Sequence, residues 1–406
     1  MVTNRRGTTP QMMSPCYAHI VGWGMAVPDT VLTNDDLSAI VDTTDEWIRS
    51  RTGIRERRIA SEKETTATLG LKAAQQALEV ADILPLELDM IIVATSTPEN
   101  IFPSTASLIQ SWLGANKASA FDLSAACSGF VYAVDMATQA IRSGRIQKAL
   151  VIGSETMTRV MDWSDRGTCI LFGDGAGAVV LEASSVEGGV LSAVLRSDGS
   201  GGDLLGIPTV GSHDMGEIES LPNGHKMGKM HMNGGEVFKF ATRVIAESIN
   251  QALDLAGLSI KDITLIVPHQ ANLRIIAAGA RALKVDESLF MINLDRYGNT
   301  SAASIPIALV EAIQQGRVKE NDHIAFVGFG GGLTWAAMIV KWGAPKPDDR
   351  VKPFNRQRRE AIYAFAFWRS RLLRLSRQVN DLVNRIRPRE GRMQRLRRRI
   401  DRESLE

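Results

Sequence analysis

The chain repeats itself. Gln76-Ala-Leu-Glu-Val-Ala81 reads against Gln251-Ala-Leu-Asp-Leu-Ala256, at an offset of 175. The same offset, without a gap, sets Leu88-Asp-Met-Ile-Ile92 against Ile263-Thr-Leu-Ile-Val267. Ala140-Ile-Arg-Ser-Gly-Arg-Ile146 matches Ala312-Ile-Gln-Gln-Gly-Arg-Val318 at 172, and Ala149–Gly153 matches Ile324–Gly328 at 175. Four matches in one order, at nearly one offset, mean two copies of one module of about 170 residues. The 406 residues hold both copies and a remainder.

Each copy reads helix, apolar strand, loop, helix, apolar strand. Leu69, Ala73, Ala77 and Val80 recur at helical spacing and predict a helix over Thr66–Ala81. Asp89–Thr95 and Ala149–Gly153 are short, continuously apolar runs, the pattern of strands buried on both faces. A helix from about Cys127 ends at Ser143 before Gly144, and its counterpart ends at Gln315 before Gly316. Two α/β modules facing each other about a pseudo-twofold axis follow from this. The expected halves are residues 18–190 and 191–343, after a flexible leader, 1–17.

Residues 344–406 stand outside the repeat. They hold 19 of the 47 basic and 8 of the 45 acidic side chains, net +11, which leaves the body at −9. Ala344–Arg350 reads as a linker. Beyond it Phe365, Trp368, Leu372, Leu375, Val379, Leu382 and Ile386 are spaced alternately three and four apart, an a/d stripe with arginines on the other faces. A basic amphipathic helical tail is therefore expected. Residues 361–400 are its candidate surface for membrane association or self-association, and nothing in it resembles a nucleic-acid recognition module.

Three cysteines with no Cys-x-x-Cys and no Cys/His cluster fit neither a disulfide framework nor a zinc site, and they suit a reducing compartment. No metal is expected. No run approaches 18 apolar residues, and the N-terminus carries no apolar signal core, so a cytoplasmic protein is expected.

Three residues carry the candidate chemistry. Cys127, among small residues at a helix start, meets the dipole and backbone N–H groups that favour a thiolate nucleophile. His269 follows the strand Ile263–Val267, at a strand C-terminus, where α/β proteins place functional groups. Asn299 precedes the second module's helix, and Cys127 plus 172 is 299, so the two are expected at equivalent positions that the pseudo-twofold brings together. Gly173-Asp-Gly-Ala-Gly-Ala178 precedes a β-like run and reads as a packing turn rather than a dinucleotide site. Gly328-Phe-Gly-Gly-Gly-Leu-Thr-Trp335 follows a strand and suits an oxyanion site.

In these settings Cys127, His269 and Asn299 resemble beta-ketoacyl-[acyl-carrier-protein] synthase III, of the thiolase superfamily, over roughly residues 17–343. Asp45–Arg57, Asp165–Thr168 and Gly330–Trp335 agree. The resemblance implies the duplicated five-layer α-β-α-β-α thiolase fold and an acyltransferase of fatty acid synthesis. In it Cys127 takes an acyl group from acyl-CoA. His269 and Asn299 hold the malonyl thioester of malonyl-acyl carrier protein through decarboxylation. The backbone N–H groups of Cys127 and Gly331 form the oxyanion hole. It further implies CoA contacts at Trp47, Arg51, Thr52, Arg166 and Asn272, and a carrier-protein patch of Lys239, Arg274 and Arg281. Phe102 would reach across a homodimer to the partner's acyl pocket. No cofactor beyond the CoA thioester substrates is implied.

Three features depart from the family's pattern: the leader, the tail, and a segment between Ser200 and Gly235 that looks long and could reshape the pocket mouth. The same triad serves relatives that prime polyketide, quinolone or other acyl products, and plain acyltransferases.

Overall fold

The computed structural model describes residues 16–209, 224–343 and 353–386. The first fifteen leader residues, the linker and the tail beyond residue 386 lie outside them, as do residues 210–223 of the segment between Ser200 and Gly235.

The main strands of the first half, beside a short pair at Val31–Thr33 and Glu56–Arg58, are β1 (Tyr17–Ala26), β2 (Met90–Ala94), β3 (Ser119–Leu123), β4 (Lys148–Thr156) and β5 (Asp174–Ser184). Those of the second are β6 (Gly189–Ser197), β7 (Ile263–Pro268), β8 (His323–Gly330) and β9 (Thr334–Lys341). They form two mixed sheets, ordered β1-β5-β4-β2-β3 and β7-β8-β9-β6. The repeat reaches the register of the hydrogen bonds. Met90 pairs with Ala149 in parallel, and at the repeat offset Leu265 pairs with Ile324 in the same way. The second half has no strand matching β3 among the described residues. An isolated bridge between Ile266 and Phe290 stands in its place.

Long helices fill the layers between and outside the sheets. They are α1 (Thr66–Ala81), α2 (Thr105–Leu113), α3 (Gly129–Arg142), α4 (Gly234–Ala256), α5 (Leu273–Leu283), α6 (Ser304–Gln314) and α7 (Pro353–Ile386). Helices α3 and α6 lie between the sheets and touch both, α1 and α2 cover the first sheet, and α4 with α5 covers the second. That is the five-layer α-β-α-β-α arrangement. The middle layer explains the composition of α6, whose residues Ser304–Ala312 are all buried, with no polar face to present. Phe130, Ile305, Leu309, Phe326 and Met338 join both halves in one core.

Helix α1 has the bounds its periodicity predicts, and the turn after Gly173 leads into β5 as a packing turn would. The tail helix begins earlier than the heptad stripe indicates, at Pro353, because its first turns dock on the body through polar and small residues.

Candidate active site

Cys127 stands in a single turn, Ala126–Ser128, ahead of α3, and its counterpart turn is Ser301–Ala303 ahead of α6. The two turns touch across the pseudo-twofold axis. Ala126 takes φ +45° and Ser301 φ +48°, a left-handed region that residues with a Cβ rarely adopt. Strain of this kind, of order 1–3 kcal/mol per residue, persists where the surroundings fix it. Here it turns the Cys127 thiol toward Ser301, whose Oγ accepts from Sγ at 3.5 Å.

This corrects the equivalence read from the sequence. The matching turns stand at an offset of 175, so Ala302, not Asn299, occupies the place of Cys127. Asn299 lies three positions earlier. Helix α6 has 11 residues where α3 has 14, so the offset is 175 at the helix starts and falls to 172 at their ends.

One cavity of about 690 Å³ nevertheless brings Cys127, His269, Asn299 and Gly331 together. Asn299 is fixed by its backbone, which bonds to Leu171 O and Gly173 N, and by its Oδ1, which accepts from Ser301 N at 2.8 Å. With Oδ1 engaged, Nδ2 is the donor it can offer the cavity. His269 continues β7, its N–H bonded to Val327 O at 2.7 Å, and its ring meets Phe329 edge-on. Its Nδ1 lies 2.7 Å from Ser304 Oγ, and Ser304 Oγ accepts from Gln270 N at 3.4 Å. Gln270 N fills one lone pair of that hydroxyl; where the hydroxyl donates to Nδ1, the ring proton is on Nε2. Burial pushes the His269 pKa down to about 3, so the ring is neutral.

The thiol differs from the sequence expectation. Burial pushes Cys127 up to about 12, with the Ser301 hydrogen bond opposing the rise and the Glu155 charge adding to it. The helix start acts in the favourable direction, but the resting thiol is protonated because desolvation outweighs it.

Glu155 escaped the sequence reading. It is fully buried and accepts from Ser96 N, Thr97 N, Thr97 Oγ1 and Thr95 Oγ1 at 2.6–3.2 Å, and from Ala302 N at 3.4 Å. A carboxylate at the end of an apolar strand was the available signal. Gly330, across the cavity, comes close to the nucleophile: a Cβ there would lie 2.8 Å from Cys127 N and 3.1 Å from Sγ.

The expected CoA residues cluster. Arg51 and Arg166 each place a guanidinium near the Trp47 ring centroid, at 4.8 and 4.9 Å. Asn272 lines the cavity and donates to Arg51 O at 3.1 Å, which ties this cluster to the site. Thr52 is buried, its hydroxyl bonded to Ile48 O and Ile54 N. Lys239 on α4 and Arg274 and Arg281 on α5 are exposed on adjacent helices, with Arg274 over the ring of Phe238, a cavity residue. Phe102 is 84% exposed. The described ends of the 200–235 segment enter the cavity wall through Leu205, Ile207, Met230 and Met232.

Duplicated halves in five layers around one shared cavity define an enzyme of the thiolase fold. The sequence matches the 3-oxoacyl-[acyl-carrier-protein] synthase III family over residues 121–199, and that family's C-terminal domain over residues 253–342. The chain belongs to that family. It is 52% identical over 328 residues to the beta-ketoacyl-[acyl-carrier-protein] synthase III of Roseiflexus sp. (strain RS-1), covering 81% of this chain and 99% of that one. The enzyme of the same name from Desulfitobacterium hafniense is also 52% identical, over 80% of this chain and 97% of its own. The crystal structure of 3-oxoacyl-[acyl-carrier-protein] synthase III from Aquifex aeolicus superposes with a TM-score of 0.74 at 46% identity, over 80% of this chain and all of that one. A priming beta-ketosynthase from a polyketide pathway superposes at 0.76 with 36% identity, over 82% of this chain and 99% of that one. About a fifth of this chain thus lies outside matches that span these relatives almost end to end.

Proposed function

We propose that this chain is the condensing enzyme that initiates fatty acid synthesis, and that Cys127, His269 and Asn299 carry the reaction. It transfers an acyl group from acyl-CoA to Cys127, then condenses it with malonyl-acyl carrier protein to give 3-oxoacyl-acyl carrier protein, CO2 and CoA. The observation that carries the residue assignment is the meeting of thiol, neutral imidazole and carboxamide in one buried cavity.

In the first stage the Cys127 sulfur attacks the acyl-CoA thioester. The C–S bond to CoA breaks, and the thiol proton ends on the departing CoA sulfur, so no net base is consumed. The Cys127 and Gly331 N–H groups hold the oxyanion of the tetrahedral intermediate. In the second stage the malonyl thioester carbonyl accepts from His269 Nε2–H and Asn299 Nδ2–H. Loss of CO2 leaves the electron pair on the α-carbon as an enolate, whose oxygen these donors stabilise. That carbon attacks the acyl-Cys127 carbonyl, and the cysteine sulfur leaves as thiolate and takes one proton from solvent. A neutral donor pair in a dry cavity suits an enolate. The chemistry uses no cofactor beyond the thioesters themselves. One thiol serving both stages gives ping-pong kinetics.

Trp47 between its two arginines serves the CoA nucleotide, with Asn272 on the path inward and buried Thr52 holding the end of the helix that carries Trp47 and Arg51. Lys239, Arg274 and Arg281 receive the acidic carrier protein. Exposed Phe102 and Ile101, beside the edge strand β3 with its exposed Phe121, support a homodimer. No helix among the described residues is long and apolar enough to cross a membrane. The CoA and carrier-protein thioesters it would use put its proposed place of work in the cytoplasm.

Intact-mass measurement after incubation with a panel of acyl-CoAs tests the reading. Acylation at Cys127, then release as 3-oxoacyl product on adding malonyl-acyl carrier protein, is expected. Condensation by Cys127→Ala at near wild-type rate would overturn it.

A further inference from the structure

Helix α7 has two unlike sides. Its first turns are bolted to the outer layer of the first half. Arg359 pairs with Asp82 at 2.8 Å, both side chains nearly buried, and Asn355 donates to the same carboxylate at 2.9 Å. Ala366 is buried, and Ile362 seats against Gly114. Asp82 and Gly114 are the left-handed caps that end α1 and α2, so the tail docks on two helix ends. Arg359 sits where the α1 dipole favours a cation.

Past Ala366 the helix leaves this support. Every side chain from Arg371 to Val383 is exposed. At 3.6 residues per turn, Arg359, Tyr363 and Ala366 fall on one side. Phe365, Trp368, Leu372, Leu375, Val379 and Leu382 fall on roughly the opposite side, facing away from the body. These six are each at least half exposed. A stripe of this length is more than scattered surface apolarity explains.

Charge identifies what covers it. Residues 353–386 carry eight arginines against Glu360 and Asp381, net +6. Arg369 and Arg371 flank the stripe on its two edges. A second copy is the poorer occupant. With Phe365 at a and Trp368 at d, the flanking e and g positions are Ala364, Arg369, Arg371, Ser376, Gln378, Val383 and Arg385, with no acid to pair an opposing arginine. An anionic lipid surface meets both features, since it takes the apolar stripe into its interface and neutralises the arginines along its edges.

We infer that the outward face of α7 docks on an anionic bilayer, with the enzyme body held on the far side. The body carries a net −9 and the described tail helix a net +6, so attachment runs through the helix.

Co-sedimentation of the full chain with phosphatidylcholine vesicles, with and without an equal share of phosphatidylglycerol, tests this. Binding to the anionic vesicles alone is expected, with at least about a tenfold loss between about 0.05 M and 0.5 M salt. The variant Trp368→Ser/Leu372→Ser/Leu375→Ser keeps the charge and should lose vesicle binding while keeping condensation activity, which shows that it folds. Arg369→Gln/Arg371→Gln/Arg374→Gln should bind at least about tenfold more weakly. Full-length protein that stays in solution with anionic vesicles at low salt, or a serine variant that pellets like wild type, would overturn the inference. So would a wild-type assembly in analytical ultracentrifugation larger than that of the serine variant, which would assign the stripe to a second copy.

Discussion

Glu155 and Gly330 occupy the same place on β4 and β8, at the repeat offset, and each stands over the turn of the opposite half. Glu155 accepts from Ala302 N, whereas Gly330 presents no side chain to the matching N–H, that of Cys127. The duplication thus made two anion-binding turns. A carboxylate of the protein fills one, and the other stays open for the oxygen of a reacting thioester.

Gly330→Ala should close the open one. The methyl group would lie 2.8 Å from Cys127 N; Gly330 is not in the left-handed region, so the cost comes from that contact and not from φ. Acylation of Cys127 by acyl-CoA, read by intact mass, should fall by about 10²–10³, the loss that follows removal of one oxyanion donor. The methyl group also presses on the Cys127 backbone, so the turn must shift and the melting temperature should fall as well.

Glu155→Gln keeps the shape and removes an acid whose pKa burial raises, against the hydrogen bonds that favour the carboxylate. Its amide sets N–H donors against the N–H groups of Ser96, Thr97 or Ala302, at about 1–3 kcal/mol of stability. Glu155 also raises the Cys127 pKa, so its loss should move the pH midpoint of Cys127 alkylation downward. A scaffold role alone would leave that midpoint where it is.

Ser304→Ala frees the His269 ring to take its other tautomer. Decarboxylation of malonyl-acyl carrier protein should drop about tenfold, the value of one hydrogen bond, while acyl transfer to Cys127 is unchanged. Equal loss of both stages would assign Ser304 to packing.

His269 also governs stability in acid. Its folded pKa, about 3, lies below the usual value near 6.5. The unfolded chain therefore binds a proton that the folded one refuses once the pH drops below 6.5. Its contribution is whole above that pH and declines toward pH 3, by about 1.4 kcal/mol per unit. Denaturant midpoints between about pH 6 and 5 should fall more steeply for wild type than for His269→Gln.

The duplication, the alternation of helix and strand within it and the segments that bring Cys127, His269 and Asn299 to one cavity were legible because each is a local pattern. Apolar runs name buried strands, and Gly144 and Gly316 name helix ends. What stayed hidden was set by contact between distant segments. The Asn299 equivalence failed because the difference in length lies inside α6, and only the matched turns at Ala126 and Ser301 reveal where it falls. Helix-dipole reasoning about Cys127 missed its burial, since desolvation comes from the other half. Glu155 was illegible as a partner of Ala302, since 147 residues separate them.

The two central turns also bear on how the molecule comes apart. Strand β4 supports the turn before α6, and β8 supports the turn before α3. Neither half owns a finished catalytic edge, and neither can loosen without dissolving the other's. Heat or denaturant should therefore meet a single cooperative unit between residues 17 and 343. Loss of activity should track loss of structure along one curve, with no folded but inactive intermediate along the way.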